Sequence, residues 1–173
     1  MTEEKTRKQP PIWLLIIIFI TFFTLISIGI TILFKLPWVF PFSRLWGIII
    51  GSIFLGFGFY FLISAIWVLT LRRAFGKDIY KKQTESELIT IGIYAHTRNP
   101  LYVGVVLIFF GWFFLFLYTF LLLIPFLFMV LFYFVSRWEE KELYERFGEE
   151  YLRYKEAVPR FIPYRRKKRE EVK

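Results

Sequence analysis

The stretch that most constrains this chain is residues 101–136, 36 residues without a charge. As one helix it would run about 54 Å, nearly twice the ~30 Å hydrocarbon core of a bilayer. It therefore reads as a tight hairpin of two spans, residues 101–117 and 119–136, turning near Tyr118 and Thr119, with Pro125 a kink site in the returning helix. Two further apolar runs, residues 11–34 and 46–70, bring the expectation to an all-α integral membrane fold of about four transmembrane helices. The first run is too long for a signal-peptide core and lacks a small-x-small cleavage site, so it is expected to stay attached. A soluble domain this short cannot bury the 57% of residues that are apolar, 23 of them Phe, and the excess must face lipid.

Charge sets the expected orientation. Of the 23 Lys and Arg, all but Lys35 and Arg44 fall before residue 11, between 71 and 99, or after 136. With the hairpin tip uncharged, the positive-inside rule puts both termini and the 71–99 loop on the cytosolic side of a multi-pass cell-membrane protein. Trp13, Trp67 and Trp138 then mark the inner interface and Trp38 and Trp46 the outer, while Trp112 falls mid-span. Residues 1–164 read as a single domain, followed by a basic tail, 165–173, suited to anionic lipid headgroups. The formal charge of +9 is accounted for at the ends of apolar runs, so no nucleic-acid partner is expected. The chain has no Cys and one His, His96, which removes disulfides, thiolate nucleophiles and His- or Cys-rich metal sites. A lone His without a carboxylate partner at a suitable spacing is not assigned a catalytic role.

The polar segments admit paired readings. Gly47-x-x-x-Gly51, followed by Gly56 and Gly58, suits either close helix packing or the wall of a cofactor pocket. Asn99-Pro100 has the form of a helix start, an amide N-cap before a proline whose missing N–H costs nothing there. It is either an ordinary cap or an anion site at the positive end of the helix dipole. The adjacent carboxylates Glu139 and Glu140 either clamp an ammonium or a ribose diol, or form the solvated start of a helix. From 139 to 155, Leu143, Phe147 and Tyr151 recur at helical spacing, predicting one amphipathic helix that lies on the membrane or folds back over the loop.

In order, the chain carries Leu88-x-Thr90-x-Gly92-Ile93-Tyr94, Arg98-Asn99-Pro100-Leu101-Tyr102-x-Gly104, the apolar hairpin, Glu139-Glu140-x-x-Leu143, Phe147-Gly148-Glu149-Glu150-Tyr151-x-x-Tyr154 and Val158-Pro159. This arrangement, over residues 88–163, resembles the isoprenylcysteine carboxyl methyltransferase and phospholipid methyltransferase superfamily. The resemblance implies a membrane-bound enzyme that transfers a methyl group from S-adenosyl-L-methionine to a lipid or other lipophilic small molecule at the cytosolic face. It implies that Leu88, Ile89 and Tyr94 line the cofactor pocket, that Asn99, Pro100, Leu101 and Tyr102 contact the cofactor, and that Glu139 binds it. Two departures stand out. Asn99 occupies the place of a His in the better-known Arg-His-Pro-x-Tyr pattern, and an amide cannot titrate near neutral pH. The substrate-side Arg of the carboxyl methyltransferases falls on Val135, which leaves the offset Arg137 as the catalytic candidate. The competing classes are an NADPH-dependent reductase related to sterol reductases, which share an Arg-x-Pro-x-Tyr module in longer chains, and a non-catalytic scaffold of the same fold.

Overall fold

A computed structural model of the chain describes residues 12–75 and 88–162, with side chains from 18 to 70 and from 88 to 162. The N-terminal charges, the side chain of Trp13, residues 76–87 of the expected loop and the basic tail lie outside the described residues. Among the described residues five α-helices follow in order: α1 (Ile12–Leu33), α2 (Arg44–Phe75), α3 (Pro100–Phe116), α4 (Thr119–Phe147) and α5 (Glu149–Ala157), with a short 3₁₀ turn at Gly92–Ala95 before α3. Among the described residues, Arg44–Thr70 and Thr119–Phe147 are each long and apolar enough to cross a bilayer, and Ile18–Leu33 and Pro100–Phe116 are shorter apolar helices.

The hairpin forms where the sequence places it. Leu117 ends α3 in the left-handed region (φ 57°), its N–H bonded to Phe113 O at 2.7 Å, and Tyr118 leads directly into α4. A positive φ is strained for a residue with a Cβ. Here Leu117 is buried and clasped from outside: Phe40 N–H donates to Leu117 O at 2.7 Å, and Thr119 N–H donates to Trp38 O at 3.1 Å. Val39 bridges Tyr118, and the Thr119 hydroxyl donates to Pro37 O. The hairpin tip and the α1–α2 connection thus form one knot. Pro125 is buried within α4, which continues through it.

The glycines of α2 are packing devices against α3. A Cβ on Gly47 would lie 2.6 Å from Phe114 O, one on Gly51 3.0 Å from Gly111 O, and one on Gly58 3.0 Å from Gly104 O. The fit is reciprocal, because a Cβ on Gly104 would meet Gly58 O at 2.9 Å. Small residues let two helix backbones touch, so that dispersion contact between them is close. Gly56 takes no part, with nothing within 4 Å of its virtual Cβ. On the far side, Phe109, Ile124 and Phe128 form the buried α3–α4 cluster, with Phe23 of α1 packed against it. The Ser27 hydroxyl donates to Phe120 O and joins α1 to α4.

One expectation fails in detail. The helix expected over residues 139–155 is not a separate element, since α4 runs unbroken past Ser136 to Phe147 and ends at Gly148. Gly148 takes φ 52°, a conformation open to glycine without a Cβ penalty, and its N–H closes the helix on Tyr144 O at 2.8 Å. A new helix, α5, then begins with Glu149 and Glu150 at its positive dipole end. The break turns α5 back onto the loop, where Tyr151, Tyr154 and Val158 pack with Leu88, flanked by Leu143 and Phe147.

Candidate functional site

Residues 88–99 come to rest between the start of α3, the end of α4 and α5. They enclose a cavity of about 380 Å³, within the size range of small-molecule sites. Every position expected to contact a cofactor lines it. Leu88, Ile89 and Tyr94 come from the loop, Asn99, Pro100, Leu101 and Tyr102 from the start of α3, and Glu139 from α4. Arg137 does not join them. It is exposed on the outer face of α4, with its guanidinium 5.9 Å from the centre of the Tyr133 ring, because two residues along a helix turn a side chain away from the face that carries Glu139.

The carboxylate pair divides its work. The Tyr102 hydroxyl donates to Glu139 Oε1 at 2.6 Å, and its ring stacks on Phe132 with centroids 4.4 Å apart. Tyr94 borders the same carboxylate, and burial together with the Glu139 charge raises its phenol above the ordinary value. Glu140, one residue on, is buried in an ion cluster. Arg98 Nη1 donates to its Oε1 at 2.7 Å, Arg160 donates from Nε at 2.7 Å and from Nη2 at 2.9 Å, and Lys155 Nζ lies 3.3 Å away. Burial alone would raise the Glu140 carboxyl. The hydrogen bonds of Arg160 and Lys155 and the charges of Arg98 and Arg160 outweigh it and hold the group below the usual carboxylate value.

The same arginines strap the C-terminal segment over the start of α3. Arg98 donates from its backbone N–H to Pro159 O and from Nε to Val158 O, each at 3.0 Å, and from Nη1 to Tyr151 Oη at 3.1 Å. Thr97 Oγ1 and Asn99 Nδ2 both donate to Arg160 O at 3.1 Å. Asn99 is therefore not the side-chain cap expected of it. Its amide is turned back to the strap, and no side chain caps α3. The first N–H groups of the helix therefore have no side-chain cap. Tyr154 Oη donates to Tyr94 O at 2.7 Å, which fixes the loop backbone beside the cavity. His96 is exposed, with Nδ1 3.3 Å from Gly92 O, and lies outside this cavity.

Sequence reasoning named Glu140 only as half of a pair and gave Arg98 and Arg160 no part. The glycine at 148, followed by two glutamates, was the available signal for the helix break that brings Arg160 back. The ion cluster itself has no local signature, since its members stand 42 and 20 residues apart.

The phospholipid methyltransferase family matches residues 46–150. Protein-S-isoprenylcysteine O-methyltransferase of Homo sapiens is 34% identical over 92 residues, 49% of this chain and 30% of the human protein. The Xenopus laevis protein of the same name is 34% identical over 128 residues, covering 69% of this chain and 41% of its own length. The chain thus spans about a third to two fifths of the length of these relatives. No solved structure matches the chain.

Proposed function

Because the chain belongs to the phospholipid methyltransferase family, we propose that it is a membrane-bound methyltransferase that uses S-adenosyl-L-methionine and acts on a lipophilic acceptor at the cytosolic face. The observation that carries the reading is the single cavity into which the eight expected contact residues converge. The relatives are named for methylating an isoprenylcysteine, which is consistent with a lipophilic acceptor here.

The donor set suits this zwitterionic cofactor. Glu139 offers a carboxylate to an ammonium or a ribose diol. The uncapped N-terminus of α3 offers backbone N–H groups and a positive dipole end to a carboxylate. When bound, S-adenosylmethionine supplies a methyl group on a positively charged sulfur, and transfer to the acceptor leaves a neutral thioether. The residues present are asked to orient and to exclude water rather than to move a proton. Tyr102 holds Glu139 in place through its hydroxyl, and its ring is pinned by Phe132. Tyr94 presents an aromatic edge of the cavity where a sulfonium would be favoured over water. Leu88, Leu143 and Phe147 supply apolar walls.

Four apolar helices, with large apolar side chains exposed along α1, α2 and α4, support a membrane-embedded chain. The confinement of positive charge to one side supports cytosolic termini. Reporter fusions at each terminus and in the 35–44 connection test the orientation, and a terminus outside would overturn a cytosolic site. Calorimetry of the purified protein tests the function. S-adenosylhomocysteine is expected to bind and NADPH not to; NADPH binding alone would favour a reductase, and binding of neither a scaffold.

A further inference from the structure

Where Arg137 leads, if not to the cavity, is answered by the outer face of α4. Along that face Phe126, Val130, Tyr133, Phe134 and Trp138 are all exposed. Beyond Ser136 the helix becomes charged. Arg137 is thus the first charge on an apolar outer face. Its Nη1 lies 3.4 Å from Tyr133 Oη, and it makes no ion pair among the described residues. A second guanidinium, that of Arg160, stands 5.4 Å from the centre of the same Tyr133 ring while its nitrogens hold Glu140. Arg98, Lys155 and Arg160 gather on the buried Glu140 carboxylate, and Arg160, over the same Tyr133 ring as Arg137, carries that cluster to the outer face.

We infer that Tyr133, Arg137 and Arg160 form a binding site for the phosphate of an anionic membrane lipid, seated on the outer face of α4 and separate from the cofactor cavity. The inference rests on the chain being membrane-embedded, as proposed above. Arg137 presents a planar fork suited to phosphate oxygens, Arg160, with Nε and Nη2 committed to Glu140, adds its charge, and the Tyr133 hydroxyl adds a donor at the same edge. The apolar side chains on the earlier turns of the helix, Phe126 and Val130 among them, lie where acyl chains would run, and Trp138 is placed to sit at headgroup level. A lipid, rather than free phosphate, is the occupant these neighbours favour, because the cationic edge continues into an apolar face.

The test is native mass spectrometry of the full chain in neutral detergent, titrated with phosphatidylglycerol or phosphatidylcholine. Wild type is expected to retain one phosphatidylglycerol in preference to phosphatidylcholine. Arg137→Gln should need about tenfold more lipid for the same occupancy, the loss of one charge-assisted contact. Arg137→Lys, which keeps the charge and guards against misfolding of the Gln variant, should fall between them. Lys167→Gln/Lys168→Gln in the basic tail should leave this occupancy unchanged. Equal retention by wild type and Arg137→Gln, or no preference for the anionic lipid, overturns the site. Displacement of the lipid by glycerol phosphate at matching concentration overturns the lipid as its occupant. S-adenosylhomocysteine binding by the wild-type protein reads the methyltransferase proposal separately, and loss of that reading leaves this one standing.

Discussion

Helix α3 is held by opposite means at its two ends. From Gly104 onward it lies backbone to backbone on α2, with Gly104 and Gly111 set against Gly58 and Gly51. At its start it is held by charge, through Arg98, buried Glu140 and Arg160. Dispersion contact between small residues falls off within a fraction of an ångström, so the first region tolerates almost no added volume. Charges act over longer distances, but a buried charge without its partner is costly, so the second region tolerates almost no lost partner. The chain uses shape along its apolar helix pair and charge where its polar segments converge.

Substitutions at four positions, with controls at two more, probe this contrast. Glu140→Ala should have the largest effect, because it leaves Arg98 and Arg160 around an empty centre. A loss of roughly 3–5 kcal/mol is expected, seen as a fall in melting temperature in detergent together with failure to bind S-adenosylhomocysteine. The same carboxylate gives the acid limb of stability its sign. Its folded pKa lies below the ordinary value, so its contribution is complete above the unfolded value of about 4.3 and is lost as pH falls through the folded one. Glu140→Gln should therefore flatten the wild-type melting profile below that pH, and an unchanged slope would mean the cluster is not a source of stability.

Next comes the neighbouring carboxylate, which stands on the cavity side. Glu139→Gln should weaken S-adenosylhomocysteine binding by about 10- to 150-fold, the range for one charge-assisted hydrogen bond of roughly 1.5–3 kcal/mol. Stability should change little, and Glu142→Gln, which lies outside the cavity, should bind normally. Comparable losses at 139 and 142 in a calorimetric titration would erase the distinction between cavity and solvated face. On the glycine side, Gly104→Ala should cost about 1–3 kcal/mol, since its Cβ would meet the backbone of Gly58 and Leu62, which cannot swing aside. Gly56→Ala meets nothing and should melt with wild type. Coincident melts for the two variants would show that the glycines do not set the helix contact. The smallest effect belongs to Asn99→Ala, where one hydrogen bond to Arg160 O is lost at about 1 kcal/mol. Asn99→Asp cannot donate that bond either, so it should not restore stability as a true cap replacement would, and melting curves separate the two cases.

The apolar regions were legible because their rules are local. Length and hydropathy gave the four helices and the turn at Tyr118, and glycine spacing gave the α2 face. The spacing rule did not separate Gly56, because which side of α2 meets α3 is settled by the partner helix and not by the repeat. In the site, the motif order located the cavity walls, but local spacing joined Leu143, Phe147 and Tyr151 into one helix across a glycine that breaks it. Those three side chains still border one cavity, by folding back rather than by lying along one stripe. Asn99 was misread for a related reason. The cap rule considers only the helix that follows, and here a carbonyl 61 residues away competes for the amide and wins.

The knot at the hairpin tip carries a mechanical consequence. Leu117, Tyr118 and Thr119 are fastened to residues 37–40 at the end of the bundle farthest from the cavity, so α3 and α4 are arms joined at a pivot. An arm of 17 residues is about 25 Å long, and a tilt of about 5° at the pivot would move its free end by roughly 2 Å. The Arg98–Glu140 ion pair, at 2.7 Å, ties that end of α3 to α4 and resists such a tilt. The bundle is built like a clasp, hinged at the hairpin tip and latched by charge beside the cavity.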